Sequence, residues 1–287
     1  MKHIVIAAVV VCALASPAAA KEKVKFVESA PVKDQPAVTL NPAKAYILVR
    51  SDVAIPLHLM RVASAEDQAT YDRLRAEALV EARGKYAKKL ASYERDQKAY
   101  ESSLKTGPKV AKPVKPVEPT EANFEFTPFG LLTGVSIGPL NRFAKGTNGE
   151  KTSIYLQEIT PGRYRIYGMM QVIPNSGATG RCFCMGSVAF DAIAGEITDL
   201  GRFSARELPK RDGSDSAMPP RLAVEFTRAV AGMPLDPRIA KASVTPAVLR
   251  PVGKLPNYYG LSIDRFPAID GVMRYDRDRI VDLTAGN

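Results

Sequence analysis

The sequence has no tryptophan, and its 287 residues include only two histidines and three cysteines. His3 and Cys12 lie in the first twenty residues, which leaves one histidine, His58, and one cysteine pair, Cys182 and Cys184, in the rest of the chain. A single histidine argues against mechanisms that need a histidine pair. The H-E-x-x-H metalloprotease motif, the phosphate-binding P-loop and the calcium loop are all absent from the sequence.

Long apolar runs are also scarce, and the one clear case lies at the start of the chain. A lysine precedes an apolar run over 4–15, and a serine, a proline and three alanines follow it. This order is typical of a secretory signal peptide over 1–20, and the run is shorter than the roughly 20 residues of a membrane span. We expect cleavage between Ala20 and Lys21, export to the periplasm or the exterior, and no transmembrane segment afterwards. Cys12 lies within the apolar run, so lipidation is not expected.

The formal net charge is +10 at pH 7, and the basic excess is spread along the chain. A charge of this kind favours solubility or weak attraction to anionic envelope surfaces. The sequence carries no nucleic-acid-binding motif, so we expect no nucleic-acid partner.

A charged, alanine-rich segment covers residues 64–105. Ser64 suits a helix N-cap, and acidic residues follow it in the first turn. The pattern predicts about 60 Å of helix, which either projects as one element or folds back near Gly84. Its apolar residues step by three or four and form one narrow stripe, interrupted by Gln97: Tyr71, Leu74, Ala78, Ala82, Tyr86, Leu90, Tyr93, Tyr100 and Leu104.

Prolines alternate with lysine and valine over 107–119, which predicts a polyproline-like spacer. Helix and spacer together, residues 64–120, are interpreted as an insertion. The apolar stripe either packs against the protein's own sheet or serves as a coiled-coil or partner-docking arm. Because the stripe is rich in alanine and lacks strong heptads, the first interpretation is favoured.

Alternating apolar residues predict an α+β fold, with an antiparallel β-sandwich built from 21–63 and 121–203. The C-terminal part, 204–287, is predicted to be irregular, with a short helix within 219–231 and one final strand over 271–282. The predicted strands are 45–50, 54–60, 153–159, 163–167, 181–190 and 196–200, with turns at 51–52, 160–162 and 192–195. The segment 153–167 is predicted to form a hairpin.

Cys182 and Cys184 would share one face of a regular strand, with Met185 on the other face. Their Cα atoms would lie about 6.6 Å apart, so a disulfide would need a local bulge or turn. An oxidising compartment favours that disulfide. Two buried thiols are the second interpretation. A Cu(I) site that also uses Met169, Met170 or Met185 is the third, and no other cofactor is predicted.

Three further patterns are not expected to be catalytic. The motif around Ser136 matches G-x-S-x-G, but no histidine follows it in the chain, so a glycine-rich strand or loop is predicted. Asp276 and Asp278 alternate with arginines and predict solvated ion pairs. Tyr258 and Tyr259 either stack on a sugar or peptide or pack locally, and local packing is favoured.

Three short segments carry a resemblance. T-P-G-R-Y-R-I-Y-G at 160–168, followed by 182–186 and by A-G-E-I-T-D-L-G at 194–201, resembles small β-sandwich modules of uncharacterised exported Gram-negative envelope proteins. The resemblance covers residues 152–203, implies a periplasmic location and implies no catalytic residue.

These features predict a non-enzymatic binding or accessory module of the cell envelope, whose helix or sheet edge contacts an envelope protein. A periplasmic Cu(I)-binding protein that uses Cys182 and Cys184 is the alternative. An enzyme with an unrecognised site is the second alternative. The sequence leaves self-association open.

Overall fold

The computed structural model describes residues 24–107, 110–146, 151–173, 177–183, 185–207 and 222–285. In these ranges it contains two seven-stranded sheets, one two-stranded sheet, one long helix and one short helix. The predicted signal peptide and its cleavage site lie outside the described residues. No helix within the described ranges is long and apolar enough to cross a membrane.

Sheet A contains seven strands, numbered with the others in chain order: β1 (Ser29–Pro31), β2 (Ala45–Ser51), β5 (Ala144–Lys145), β6 (Ser153–Ile159), β10 (Ile197–Glu207), β11 (Leu222–Arg228) and β12 (Val244–Pro246). Its main order is β1-β6-β2-β10-β11, with β5 on β6 and β12 on β10. All seven residues of β2 are buried. The strand is almost continuously apolar because both faces of this central strand are covered.

Sheet B contains the other seven: β3 (Leu57–Arg61), β4 (Gly134–Ile137), β7 (Gly162–Ile173), β8 (Gly177–Cys182), β9 (Val188–Ala192), β13 (Arg250–Pro251) and β14 (Leu261–Arg265). Its main order is β13-β9-β7-β3-β4, and β8 joins β14 to β7. The two-stranded sheet pairs β15 (Met273–Asp276) with β16 (Arg279–Asp282). The helices are α1 (Ala65–Thr106) and α2 (Phe129–Leu132).

The main hydrophobic core draws side chains from both large sheets. Ile47 of β2 and Phe203 of β10 come from sheet A, and Leu59 of β3 and Phe190 of β9 come from sheet B. All four are buried. A β-rich chain with two sheets and one long helix is compatible with the predicted α+β class.

The hairpin predicted over 153–167 is wrong, because β6 pairs within sheet A and β7 pairs within sheet B. The short links after β2 and after β9 also pass from one sheet to the other. An alternating pattern predicts a strand with one buried face, but it does not identify the neighbouring strand.

The sheets are mixed, whereas the sequence predicted antiparallel pairing throughout. Strand β10 pairs in parallel with both β2 and β12, and β14 pairs in parallel with β8. A tight turn joins only antiparallel neighbours, so local turn signals could not reveal pairs between distant parts of the chain.

The described C-terminal residues, 222–285, contain six strands between irregular stretches, more than the one final strand predicted. Strands β11 and β12 extend sheet A, while β13 and β14 extend sheet B. Strand β11 lies where a short helix was predicted, and the predicted final strand is the hairpin β15–β16, with Arg277 at φ 55° in its turn. Prolines suggested loops here, but Pro246 and Pro251 lie on the edge strands β12 and β13, where a missing N–H is tolerated.

Candidate functional site

Helix α1 begins at a capping box that also anchors it to sheet B. The Ser64 hydroxyl accepts a hydrogen bond from the Asp67 N–H at 3.1 Å, and the Asp67 carboxylate accepts one from the Ser64 N–H at 2.9 Å. Arg61, the last residue of β3, places Nη1 2.5 Å from Asp67 Oδ2 and 3.0 Å from the carbonyl of Phe26. The predicted N-cap at Ser64 is therefore confirmed.

The electrostatics of this cap favour the ionised carboxylate. Burial raises the pKa of Asp67, but hydrogen bonds from Ser64 and the charge of Arg61 outweigh that effect, so the pKa of Asp67 is lowered. The negative carboxylate also lies at the positive end of the helix dipole.

Helix α1 runs without a break for 42 residues, about 63 Å at the usual rise. Gly84 lies inside the helix, and nothing lies within 4 Å of the position that a Cβ would occupy. The single-helix prediction is confirmed, and the fold-back at Gly84 is wrong. Leu79 is the one buried side chain among the helix residues whose burial is described.

The chain then returns along α1 as an extended segment, residues 110–128, which we call the return segment. Helix and return segment together form the arm. Tyr71 Oη donates to the Thr127 carbonyl at 3.0 Å, and Arg83 Nε donates to the Pro119 carbonyl at 3.2 Å. Between them, the Arg75 guanidinium donates to the carboxylate of Glu121 at 2.6 Å and to the carbonyl of Glu121 at 2.9 Å. The partners occur in reverse order along the chain, so the helix and the return segment run antiparallel.

The prolines of the return segment share one face. Pro113, Pro116 and Pro119 are half-buried, whereas Val114 and Val117 are 89% and 80% exposed. A polyproline helix has three residues per turn, so residues three apart lie on the same side. The proline side therefore faces α1, and the valine side faces solvent.

The apolar stripe of α1 packs against the protein's own chain. From Tyr71 onward, the partners identified for the helix are Phe26, α2 and the return segment, none of which is a strand. The favoured interpretation, in which the stripe packs on the protein's own sheet, stays a prediction, and the sequence did not indicate the contacts with the proline segment.

An aromatic cleft of about 630 Å³ lies at the base of the arm. The Tyr71 ring lies 5.3 Å from the Phe126 ring and 5.6 Å from the Phe129 ring, centroid to centroid. Arg75 and Glu125 place opposite charges in its lining. Burial raises the pKa of the Tyr71 hydroxyl. The closely spaced phenylalanines after the spacer were the available sequence signal, and the sequence interpretation missed it.

The strand predicted over 181–190 is interrupted at the cysteines. Strand β8 ends at Cys182, a turn follows, and β9 begins at Val188. Met185 has φ 56° in this turn, and its N–H donates to Cys182 Sγ at 3.1 Å. Cys182 is buried. Cys184 lies outside the described residues, so the disulfide, the buried thiols and the metal site all stay predictions.

A second hydrophobic cluster brings thioethers close to this turn. Met60, Tyr167 and Met170 are buried in it, and Met185 packs against it. Met169 belongs instead to the main core, so it does not join the other methionines. In the described ranges, no group of three or more histidine, cysteine, aspartate or glutamate residues is arranged to hold a metal ion.

The topology places His58 directly opposite Ser136 in the antiparallel pair of β3 and β4, which chain order did not predict. Burial lowers the pKa of His58, opposed by a hydrogen bond with the backbone of Met170, so the imidazole is neutral at pH 7. Ser136 lies within a strand, as predicted. It does not occupy the sharp strand-to-helix turn that exposes the nucleophile of a hydrolase.

The remaining candidates have structural partners. Tyr258 and Tyr259 pack against Tyr167, with ring centroids 6.4 and 5.6 Å away, which supports local packing. The predicted ion pair within the segment is confirmed for Asp276, which pairs with Arg279 at 2.7 Å, whereas Asp278 pairs with Arg265 of β14 at 2.5 Å and not with a neighbouring arginine.

No protein-family model, curated protein or solved structure matches this chain. The resemblance of residues 152–203 to exported envelope modules therefore stays a prediction.

Proposed function

We propose that this protein is a non-enzymatic binding module of the cell envelope and that the arm is its binding element. One observation carries this proposal: the inner side of α1 packs against the chain's own return segment, while its outer side is exposed along its length. The shape of the arm is therefore set before any partner arrives. Preorganised elements bind with a smaller loss of conformational entropy.

The two large sheets would serve as the scaffold for the arm. We propose that they face each other as a β-sandwich, which the shared core of Ile47, Leu59, Phe190 and Phe203 supports. The link from β3 through Arg61 to Asp67 would then hold the arm at a fixed angle to this scaffold.

Removing the far part of the arm tests the proposal. The ends of the cut are adjacent, since Arg83 contacts Pro119, so a short Gly-Ser linker can replace 84–118. We expect the full chain to stay with the envelope fraction after cell lysis and the shortened chain to be released from it. Asp191→Ala, which removes an exposed ion pair of β9, is the matched control. Equal retention of the full and shortened chains would contradict the proposal.

The cellular location is a separate part of the proposal. The apolar start of the chain supports export and cleavage, and the working protein would then begin at Lys21. N-terminal sequencing of protein recovered from the periplasm tests this step. An intact N-terminus on the periplasmic protein would contradict it.

Soft-metal binding is the second candidate. A regular strand would have turned Met185 away from Cys182, but the observed turn brings the Met185 backbone to the sulfur and its side chain to the cluster of Met60 and Met170. Thiolate and thioether sulfurs are the ligands that Cu(I) prefers.

A Cu(I) titration against a competing chelator tests this second candidate. We expect stoichiometric uptake that Cys182→Ser abolishes and that Met169→Leu leaves intact, because Met169 lies in the main core. Leucine is close to methionine in volume, so the control should fold. Failure of the unmodified protein to take up Cu(I) would remove this candidate.

A further inference from the structure

The two halves of helix α1 carry opposite charge. Residues 65–82 include five acidic and two basic side chains, whereas 83–105 include seven basic and three acidic side chains. The acidic half begins at the sheets, where Asp67 pairs with Arg61. The basic half is therefore the half farther along the arm from the sheets.

The basic residues of the far half are ordered on one side. Successive helix positions differ by about 100°, so positions 88, 91, 95, 98, 102 and 105 fall within one third of the circumference. These positions hold Lys88, Ala91, Arg95, Lys98, Ser102 and Lys105. The series itself, which we call the basic stripe, contains no acidic residue, and Glu94 and Glu101 border it on one side.

The basic stripe lies opposite the side that packs on the return segment. The half-buried positions Tyr86, Leu90, Tyr93, Gln97 and Tyr100 cluster about half a turn away from it. The four charged residues of the stripe are all exposed. The stripe extends about 26 Å along the helix.

We infer that the basic stripe binds the surface of an anionic phospholipid bilayer. This inference rests on the proposed function, in which the arm is the binding element, and it specifies the partner. Each lysine or arginine near an anionic leaflet strengthens binding about fivefold, and clusters of four or more on a helix are typical of lipid-binding segments.

The side chains between the charges favour a lipid surface over an acidic protein. Protein interfaces depend on a few large anchors, mostly tryptophan, tyrosine and arginine, that fill pockets on the partner. The stripe has only Ala91 and Ser102 between its charges, and the tyrosines of the helix lie on the opposite side. A row of cations without apolar anchors matches a surface of diffuse negative charge.

Vesicle co-sedimentation with the full chain tests the inference. We expect binding to phosphatidylglycerol vesicles at low salt, weaker binding at high salt, and none to phosphatidylcholine vesicles. Replacing Lys88, Arg95, Lys98 and Lys105 by glutamate should weaken vesicle binding more than tenfold, because all four cations of the stripe are lost. A second variant with glutamine at the same four positions keeps a high helix propensity, and its affinity for the vesicles should also fall more than tenfold.

The matched control changes the same total charge elsewhere. Lys25, Lys33, Lys241 and Lys254 are exposed and lie outside the arm, and their replacement by glutamate should leave vesicle binding within about twofold of the original. An equal loss in this control would overturn the inference, because net charge alone would then account for binding.

The two proposals fail in different ways. If the unmodified chain does not bind phosphatidylglycerol vesicles but still needs residues 84–118 for envelope retention, the lipid inference is overturned and the arm binds an envelope protein. If retention does not depend on 84–118 while the vesicles bind through the stripe, the proposed function fails and the lipid inference stands. Circular dichroism of each variant verifies that α1 is intact.

Discussion

The two sheets and the arm are held together by different contacts. In the sheets, buried side chains come from strands far apart in sequence, as where Tyr46 of β2 lies opposite Ile197 of β10. In the arm, the helix buries Leu79 and otherwise keeps its described side chains at least partly exposed. Its helix hydrogen bonds, its capping box and its return segment all lie within one stretch of chain, and Arg61 and Phe26 add contacts from outside that stretch.

This difference indicates how each region should respond to substitution. A defect in the sheets removes contacts that join many strands, so it should lower the stability of the whole scaffold. A defect in the arm should lower helix content and leave the sheets folded. The expected effects below run from the largest to the smallest.

The largest effect is expected for the buried ion pair between β2 and β10. Arg50 Nη1 lies 2.8 Å from both carboxylate oxygens of Asp199, and both residues are buried. Asp199→Ala would leave a buried charge without its partner and should lower the free energy of unfolding by about 3–5 kcal/mol. Urea denaturation measures this. Asp191→Ala, at an exposed pair, should cost under about 1 kcal/mol, and an equal cost at both sites would contradict the comparison.

In the arm, Leu79→Ala should have the largest effect. Leu79 is 2% exposed, and truncation of a buried leucine costs about 2–5 kcal/mol. We expect lower thermal stability of the helical signal with an unchanged sheet signal. Val80, which is 67% exposed, provides the adjacent control, and Val80→Ala should change little. If Leu79→Ala also unfolds the sheets, the arm and the scaffold unfold as one unit.

The capping box should make the arm sensitive to acid. Because the pKa of Asp67 is lowered in the folded protein, its contribution is complete above the unfolded value near 4 and is lost as pH falls through the folded pKa. Asp67→Asn should lower the stability of the helix by about 1 kcal/mol at neutral pH, which is typical for the loss of a capping interaction. Helix content of this variant should also change less as the pH is lowered below about 4. A titration that is identical with and without Asp67 would contradict this.

The smallest effect is expected at Gly84, where substitution should stabilise the arm. An alanine there meets nothing within 4 Å and should add about 0.5–1 kcal/mol to helix stability. A glycine-to-alanine substitution in the sheets should instead lower stability. Gly201 has φ 106°, and a Cβ there would lie 2.2 Å from the Thr227 carbonyl oxygen. Thermal denaturation of Gly84→Ala and Gly201→Ala should therefore give shifts of opposite sign.

Local features of the arm could be predicted from the sequence because their causes lie within a few residues. Ser64 and Asp67 form the cap, and the spacing of the prolines defines the extended return. The placement of that return against the tyrosine side of α1 could not be predicted, since it depends on contact between two segments.

In the sheets, the pairing of the strands could not be predicted from the sequence. The central strands β2, β6, β7 and β10 were found from their alternation, but their partners were not, because β2 pairs with β10 across about half the chain. The pairing of His58 with Ser136 could not be predicted for the same reason. It requires β3, which precedes the arm in the sequence, to pair with β4, which follows the arm. The turn after Cys182 was missed because a short apolar run with glycine is also compatible with a strand.

The short links that join β2 to β3, β6 to β7 and β9 to β10 have a consequence for the kinetics of folding. Each link passes between sheets, so neither sheet can form from one contiguous piece of chain, and closure of both must wait for distant segments to meet. Chains dominated by such contacts fold in milliseconds to seconds, whereas a helix forms in about a microsecond. The arm should therefore be formed long before the scaffold that holds it, and the slow phase of refolding should be the same with and without residues 84–118.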